Sequence, residues 1–279
     1  MSLTLDVLFG VGSLMLVCYG LFLIFGLLHV INLAHAGLMA VGVYAQVSLR
    51  GHGIPFWPAV LLSALVAAAV GAVIEIVVIR RLYARPLDTI LATWGVSLVV
   101  IQLITLTYGP QNKFLDLPTV SATSIFGTPY STYRLLIILC AAVIVIGLGV
   151  LVRFTAVGLT IRAVMTNEPL ARSHGINTNR ARQLTFVIGA AFAGAAGALL
   201  GPIQGIDPNF GATAVATAFL AVLLAGRTLP GLVLSCALLG ATQALFSRYV
   251  NAVWASAVVI GLAVVILRFR PEGLAFRRA

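Results

Sequence analysis

Apolar residues in this chain come in long blocks that lack the alternation of a half-buried strand. Nine blocks can be drawn, at 7–30, 36–49, 57–79, 87–108, 134–152, 184–204, 211–226, 230–246 and 253–267. A bilayer crossing needs about 20 apolar residues, with a range of about 17–25, so most blocks predict transmembrane helices. The blocks at 36–49 and 211–226 are shorter, and each follows a polar break, at 32–37 in one half and 204–211 in the other. Non-helical backbone persists at membrane depth only where protein or a water-filled cavity surrounds it. Short, Gly- or Pro-interrupted segments in both halves are a sequence pointer to a transport site. The expected fold is therefore all-α: a polytopic transmembrane helical bundle of eight or nine apolar segments, with short or re-entrant segments after the two breaks. A transmembrane β-barrel would show short segments of alternating polarity, and these blocks do not alternate. A surface loop is the competing reading of 32–37.

Composition agrees. The 279 residues are 61% hydrophobic and 9% charged, against about 25% charged in soluble domains. No charged stretch is long enough for a separate soluble domain, so residues 1–279 are expected to form one transmembrane domain. The net charge of +10 comes from 17 basic residues, all Arg but Lys113, placed at the ends of apolar blocks. Without a basic stripe interleaved with aromatics, that pattern predicts topology rather than nucleic-acid binding. If all nine blocks cross and the carboxyl terminus is cytoplasmic, thirteen Arg lie inside and Arg50, Lys113, Arg134 and Arg248 outside. The amino terminus is then outside, and one re-entrant block would reverse it. It carries no basic n-region, so no cleaved signal peptide is expected. Cys18, Cys140 and Cys236 are isolated in apolar blocks and read as small buried hydrophobes.

The motifs exclude several activities. A phosphate-binding loop requires Lys followed by Ser or Thr, and Lys113 is followed by Phe114, so the chain is not expected to be an ATPase of that type. Neither a catalytic constellation nor a metal-ligand cluster is apparent; no enzyme activity and no cofactor are expected. Glu75 is expected to snorkel toward Arg80 and Arg81, and Asp88 to sit in a first helical turn where it favours the dipole. No acidic residue is expected alone at mid-membrane, which argues against proton or sodium coupling. Neutral polar groups are then the candidate substrate pathway: Asn32 and His35 at the first break, with Thr93, Trp94, Ser97 and Gln102 on one helix. Helix–helix packing is the competing role for Thr93 and Ser97. Gly189, Ala193, Gly194, Gly197 and Gly201 form a small-residue packing ridge. The loop at 109–133 is Pro-rich and expected to be irregular. The loop at 153–183 predicts an amphipathic helix over 157–165 and a second short helix capped by Asn167, with Pro169 in its first turn and Gly175 ending it.

Taken together, these residues resemble a known family. Val30-Ile31-Asn32-Leu33-Ala34-His35-Ala36-Gly37 resembles the start of permeases in the branched-chain amino acid ABC importer family. Gly158-Leu159-Thr160-Ile161-Arg162-Ala163, with Asn167, Ala171 and Gly175-Ile176-Asn177, resembles the family's inner loop. The run from Thr185 to Gly197 and the tail Arg270-Pro271-Glu272-Gly273-Leu274 also fit. Within the family, Arg85-Pro86-Leu87-Asp88-Thr89-Ile90-Leu91-Ala92-Thr93-Trp94-Gly95 and Gly109-Pro110-Gln111-Asn112 are closer to the urea and short-chain amide branch. The chain departs from the family pattern at Ala225-Gly226-Arg227-Thr228-Leu229-Pro230-Gly231, and Asp207 and Arg227 are unusual.

The resemblance implies a permease subunit in a bacterial inner membrane, paired with a second permease. Two cytoplasmic ATPases and a periplasmic substrate-binding protein complete such an importer. Arg162, Asn167, Glu168, Ala171 and Gly175 would be the residues coupling the loop to an ATPase. The solute would be small and uncharged or zwitterionic: urea or a short amide first, a branched-chain amino acid as the alternative. A secondary carrier or facilitative channel for a small polar solute is the reading from another class.

Overall fold

The computed structural model describes residues 2–28, 31–83, 85–119, 121–125, 128–226, 228–270 and 273–274. Val30, Arg227, Pro271 and Glu272 of the family-like motifs lie outside the described residues, as do Arg277 and Arg278 among the thirteen inside Arg. The chain forms α1 (Ser2–Leu28), α2 (His35–Gly51), α3 (Phe56–Val77), a 3-10 turn (Ile79–Arg81), α4 (Pro86–Tyr108), β1 (Ala122–Ile125) and β2 (Thr128–Ser131). It continues through α5 (Thr132–Phe154), α6 (Ala156–Thr166), α7 (Glu168–Ser173), α8 (Thr178–Gln204), α9 (Gly211–Ala225), α10 (Leu229–Tyr249) and α11 (Ala252–Phe269).

Seven of these helices are long and apolar enough to cross a membrane: α1, α3, α4, α5, α8, α10 and α11. This is a polytopic helical bundle protein. The expected short segments are α2, with 17 residues, and α9, with 15. At 1.5 Å per residue they reach about 25 Å and about 22 Å, short of a hydrocarbon core about 30 Å thick. Side-chain caps fix several helix starts. Thr155 accepts from Gly158 N at 3.1 Å, Asn177 from Arg180 N at 3.0 Å, Thr228 from Gly231 N at 3.2 Å and Asn251 from Trp254 N at 2.9 Å. Each such cap contributes about 1 kcal/mol. One difference from the sequence reading lies in 109–133, where β1 and β2 pair antiparallel instead of remaining irregular.

The chain divides into two contact units. The first comprises residues 1–18, 116–144 and 213–279. Here α10 packs along α11, and Leu274 N donates to Leu224 O at 2.6 Å. The Asp6 carboxylate gathers three chain-distant donors: Arg248 Nη1 at 2.8 Å, Arg134 Nη1 at 3.4 Å and Tyr130 OH at 3.2 Å.

The second unit comprises residues 19–115 and 145–212. Its centre is a seam of α2, α3 and α8. A Cβ on Gly42 would overlap the backbone of Gly194, one on Gly194 would overlap Ala67, and one on Gly197 would overlap the Met39 carbonyl. Close backbone approach through small residues replaces the hydrophobic drive that lipid cannot supply, so the ridge read from the sequence is packing. Outward from the seam, Leu61, Leu65 and Val73 of α3 and Leu91 and Leu106 of α4 are exposed, as expected of helices with lipid as solvent.

Candidate functional site

The two polar breaks meet in the second unit. At the first, α1 stops and the chain turns before α2. Asn32 Oδ1 accepts from Ala34 N at 3.1 Å, and Leu33 N donates across to Thr93 Oγ1 on α4 at 3.2 Å. Thr93 Oγ1 itself donates to Ile90 O at 2.9 Å. The Leu33 and Ala34 N–H groups of the break are thus satisfied by side chains of the protein. Asn32, His35, Thr93 and Ser97 are all buried, and a Cβ on Gly37 would sit 3.3 Å from Ser97 Oγ. The Asn32 Nδ2 group has no hydrogen-bond partner among the described residues.

The second break follows α8. Ile206 and Lys113 exchange backbone hydrogen bonds at 2.8 and 3.1 Å, and the chain then returns inward. By Gly211 it has reached the first break: a Cβ there would be 2.8 Å from Ala36 O. Between these points Asp207, Pro208 and Asn209 face the second half of α4 across a cleft of about 670 Å³, also lined by Leu98, Val99, Ile101, Gln102, Thr105 and Pro110. Small-molecule sites typically measure about 300–1,000 Å³. Helix α4 therefore touches both breaks, one through its Thr89, Thr93 and Ser97 stripe, the other through Leu98, Ile101, Gln102 and Thr105. Beyond the cleft, Tyr44 packs on Tyr108 with centroids 5.0 Å apart, and Lys113 Nζ lies 5.9 Å over the Tyr108 ring.

At the opposite end of the unit lie α6 and α7. Asn167 caps α7, accepting from Leu170 N at 3.0 Å, and Gly175 ends it at a φ of 79°. Glu168 bonds Arg172 at 3.2 Å and pairs with Arg182 at the start of α8. The Arg182 guanidinium lies 4.6 Å over the Tyr83 ring, and Tyr83 OH donates to Glu75 Oε1 of α3 at 2.7 Å. Burial first, and the Glu75 carboxylate next, hold the Tyr83 phenol well above its ordinary value, so it stays a neutral donor. A side-chain chain thus runs from α7 through α8 and the 3–4 connection into α3.

The sequence reading placed several groups differently. Glu75 is buried and bonds Tyr83, whereas Arg80 and Arg81, its expected partners, are exposed. The 3-10 turn after α3 swings the two arginines outward and brings Tyr83 back. Among the pathway candidates, Asn32, His35, Thr93 and Ser97 come together. Gln102 lines the cleft, and Trp94 is 54% exposed one turn before Leu98 on that same face. Asp207 adds a carboxylate to the cleft that Gln102 lines. In the loop, Arg162 and Asn167 are exposed and Glu168 is half-buried. Ala171 is buried against Val164 and Ala181, so it holds the loop together and presents no surface. Besides Phe154 and Val157 near its start, the loop exposes the apolar Leu159 and Leu170, neither of them among the expected coupling residues although Leu170 is adjacent to Ala171. Among the described residues no group of three His, Cys, Asp or Glu could hold a metal ion.

Comparison with known proteins places this geometry in context. The high-affinity branched-chain amino acid transport system permease protein BraD of Pseudomonas aeruginosa is 30% identical over 93% of this chain and 90% of its own length. LivH of Escherichia coli, described in the same words, is 29% identical over 93% and 90%. LivM of Salmonella typhimurium is 27% identical over 91% of this chain and 66% of its own length. Among solved structures, PsaBC from Streptococcus pneumoniae in complex with Fab matches with a TM-score of 0.54 over 98% of this chain and 93% of that one. At 14% identity that likeness speaks for the fold alone. The relatives are transport permeases, and none of these comparisons points to the urea and amide branch. Because residues 3–267 match the family described as branched-chain amino acid transport system, permease component, the chain belongs to that family and is a multi-pass membrane protein.

Proposed function

We propose that this chain is the permease subunit of an ABC importer that carries branched-chain amino acids inward. The observation that carries the reading is the meeting of two polar breaks between apolar helices against one helix, α4, in a chain of this family. Such breaks supply backbone and side-chain hydrogen-bonding groups where a solute must leave water. Residues 1–279 would form one permease domain in the bacterial inner membrane, carboxyl terminus cytoplasmic, paired with a second permease of the LivM kind. Two ATPase subunits would dock on α6 and α7 and a periplasmic binding protein would deliver solute to the other face. ATPase closure displaces α7, and the contacts from Glu168 to Arg182, Tyr83 and Glu75 pass that displacement to α8 and α3. Helix α4, joined to the first break by Thr93, follows.

The names of LivH and BraD favour an amino acid over urea. Geometry adds a reason. The urea-like signal was the run from Ala92 to Gly95, but the Thr93 hydroxyl is engaged by Ile90 O and Leu33 N, so this run fastens α4 to the break. Competition in cells expressing the full importer tests the reading. Labelled leucine uptake should be unaffected by excess urea or acetamide. Uptake of labelled urea, with leucine not carried, would overturn it. Solute flux through the purified chain alone in liposomes would instead indicate a channel or carrier.

A further inference from the structure

We propose that the cleft between α4 and the α8–α9 break binds the charged end of the transported amino acid, with Asp207 as the counter-ion of its ammonium group. The inference rests on the branched-chain amino acid reading above. A carboxylate on the wall of a cleft, outside any ion pair, is a ready acceptor for the N–H groups of a cationic ligand. Asp207 belongs to no ion pair among the described residues. One of its oxygens, Oδ1, accepts from Asn209 N at 2.7 Å, which fixes the carboxylate on the wall of the cleft and leaves Oδ2 available.

The neighbouring groups divide by hydrogen-bond role. Thr105 Oγ1 donates to Ile101 O at 2.8 Å, so toward the cleft it offers lone pairs, suited to an ammonium beside Asp207. The Gln102 and Asn209 amides carry N–H donors, suited to a carboxylate. Leu98, Val99 and Ile101 supply an apolar wall for a branched side chain. An uncharged solute such as urea would leave Asp207 uncompensated; a zwitterion with an apolar side chain meets every part of the lining.

The test uses the complete importer in liposomes, with leucine presented on its binding protein. In Asp207→Asn the side-chain oxygen still accepts from Asn209 N, so the turn persists and only the charge is lost. Maximal leucine uptake should fall about 10- to 100-fold. Recovery of the assembled complex, ATP hydrolysis without leucine, and the half-saturating concentration of binding protein should match wild type. Gln102→Leu should lower maximal uptake about fivefold with the same controls intact. Uptake within twofold of wild type in Asp207→Asn would overturn the proposal. So would loss of the second permease from the complex, which would make Asp207 a subunit contact, or a raised half-saturating concentration at unchanged maximum, which would make it a docking group. A wild-type importer that carries no leucine would instead refute the substrate reading, and the ammonium assignment with it.

Discussion

Replacing Arg182 with glutamine tests whether the α6–α7 loop drives the membrane helices through side-chain contacts. The guanidinium pairs with Glu168 and lies 4.6 Å over the Tyr83 ring. A hydrogen bond to a charged group contributes about 1.5–3 kcal/mol and a cation over an aromatic face about 0.5–2 kcal/mol. The Arg182 and Glu168 side chains are 18% and 27% exposed, so solvent screening and the hydrogen bond that glutamine can still offer bring the loss to about 2 kcal/mol. That is about 30-fold in the equilibrium between engaged and released arrangements. Arg172 keeps its bond to Glu168 at 3.2 Å and Asn167 still caps α7, so the loop itself survives. In liposomes the variant importer should hydrolyse about tenfold more ATP per leucine imported, with normal subunit recovery. A ratio within twofold of wild type, in an assembled complex, would refute the contact route.

Two further substitutions probe the first break and the loop surface. Thr93→Val removes the acceptor of the half-buried Leu33 N–H, a loss of about 1–3 kcal/mol; the thermal midpoint of the purified complex should drop and uptake fall about 5- to 150-fold, with Thr93→Ser restoring both. An unchanged midpoint would show that the break does not depend on this bond. Ala171→Glu should open the loop's own core and expose residues 153–183 to protease, whereas Leu170→Glu should leave the protease pattern unchanged and lower ATPase recovery about tenfold. Equal protease patterns in the two variants would contradict the assigned faces.

What the sequence made legible was local. Asn167, Pro169 and Gly175 act within a few residues of themselves, so the cap, first turn and end of α7 follow from residue type alone. Apolar block lengths likewise located the spans and singled out the two short helices. Contacts across long separations were not legible. Thr93 and Leu33 meet because α2 and α4 run side by side, and no spacing along the chain encodes that. Glu75 lies five and six residues from Arg80 and Arg81 but bonds Tyr83, because a 3-10 turn resets which side chains face inward. Asp207 stood out only as unusual, because that it faces α4 depends on how the chain turns between Ile206 and Gly211. Ala171 matched a family motif, but whether an alanine faces a partner or its own loop is decided by what surrounds it.

The Asp6 clasp has a consequence for biogenesis. Its carboxylate is synthesised 242 residues ahead of Arg248. At translation rates of about 5–20 residues per second, that separation is roughly 12–50 s. Arg134, 128 residues on, arrives about midway and offers a provisional partner. The final closure waits until α10 has been inserted, so the first unit is sealed by a helix made long after the one that carries Asp6. A ribosome that stops short of α10 leaves α1 held at Asp6 by its provisional partner alone, so an unfinished chain differs from a finished one at this single carboxylate.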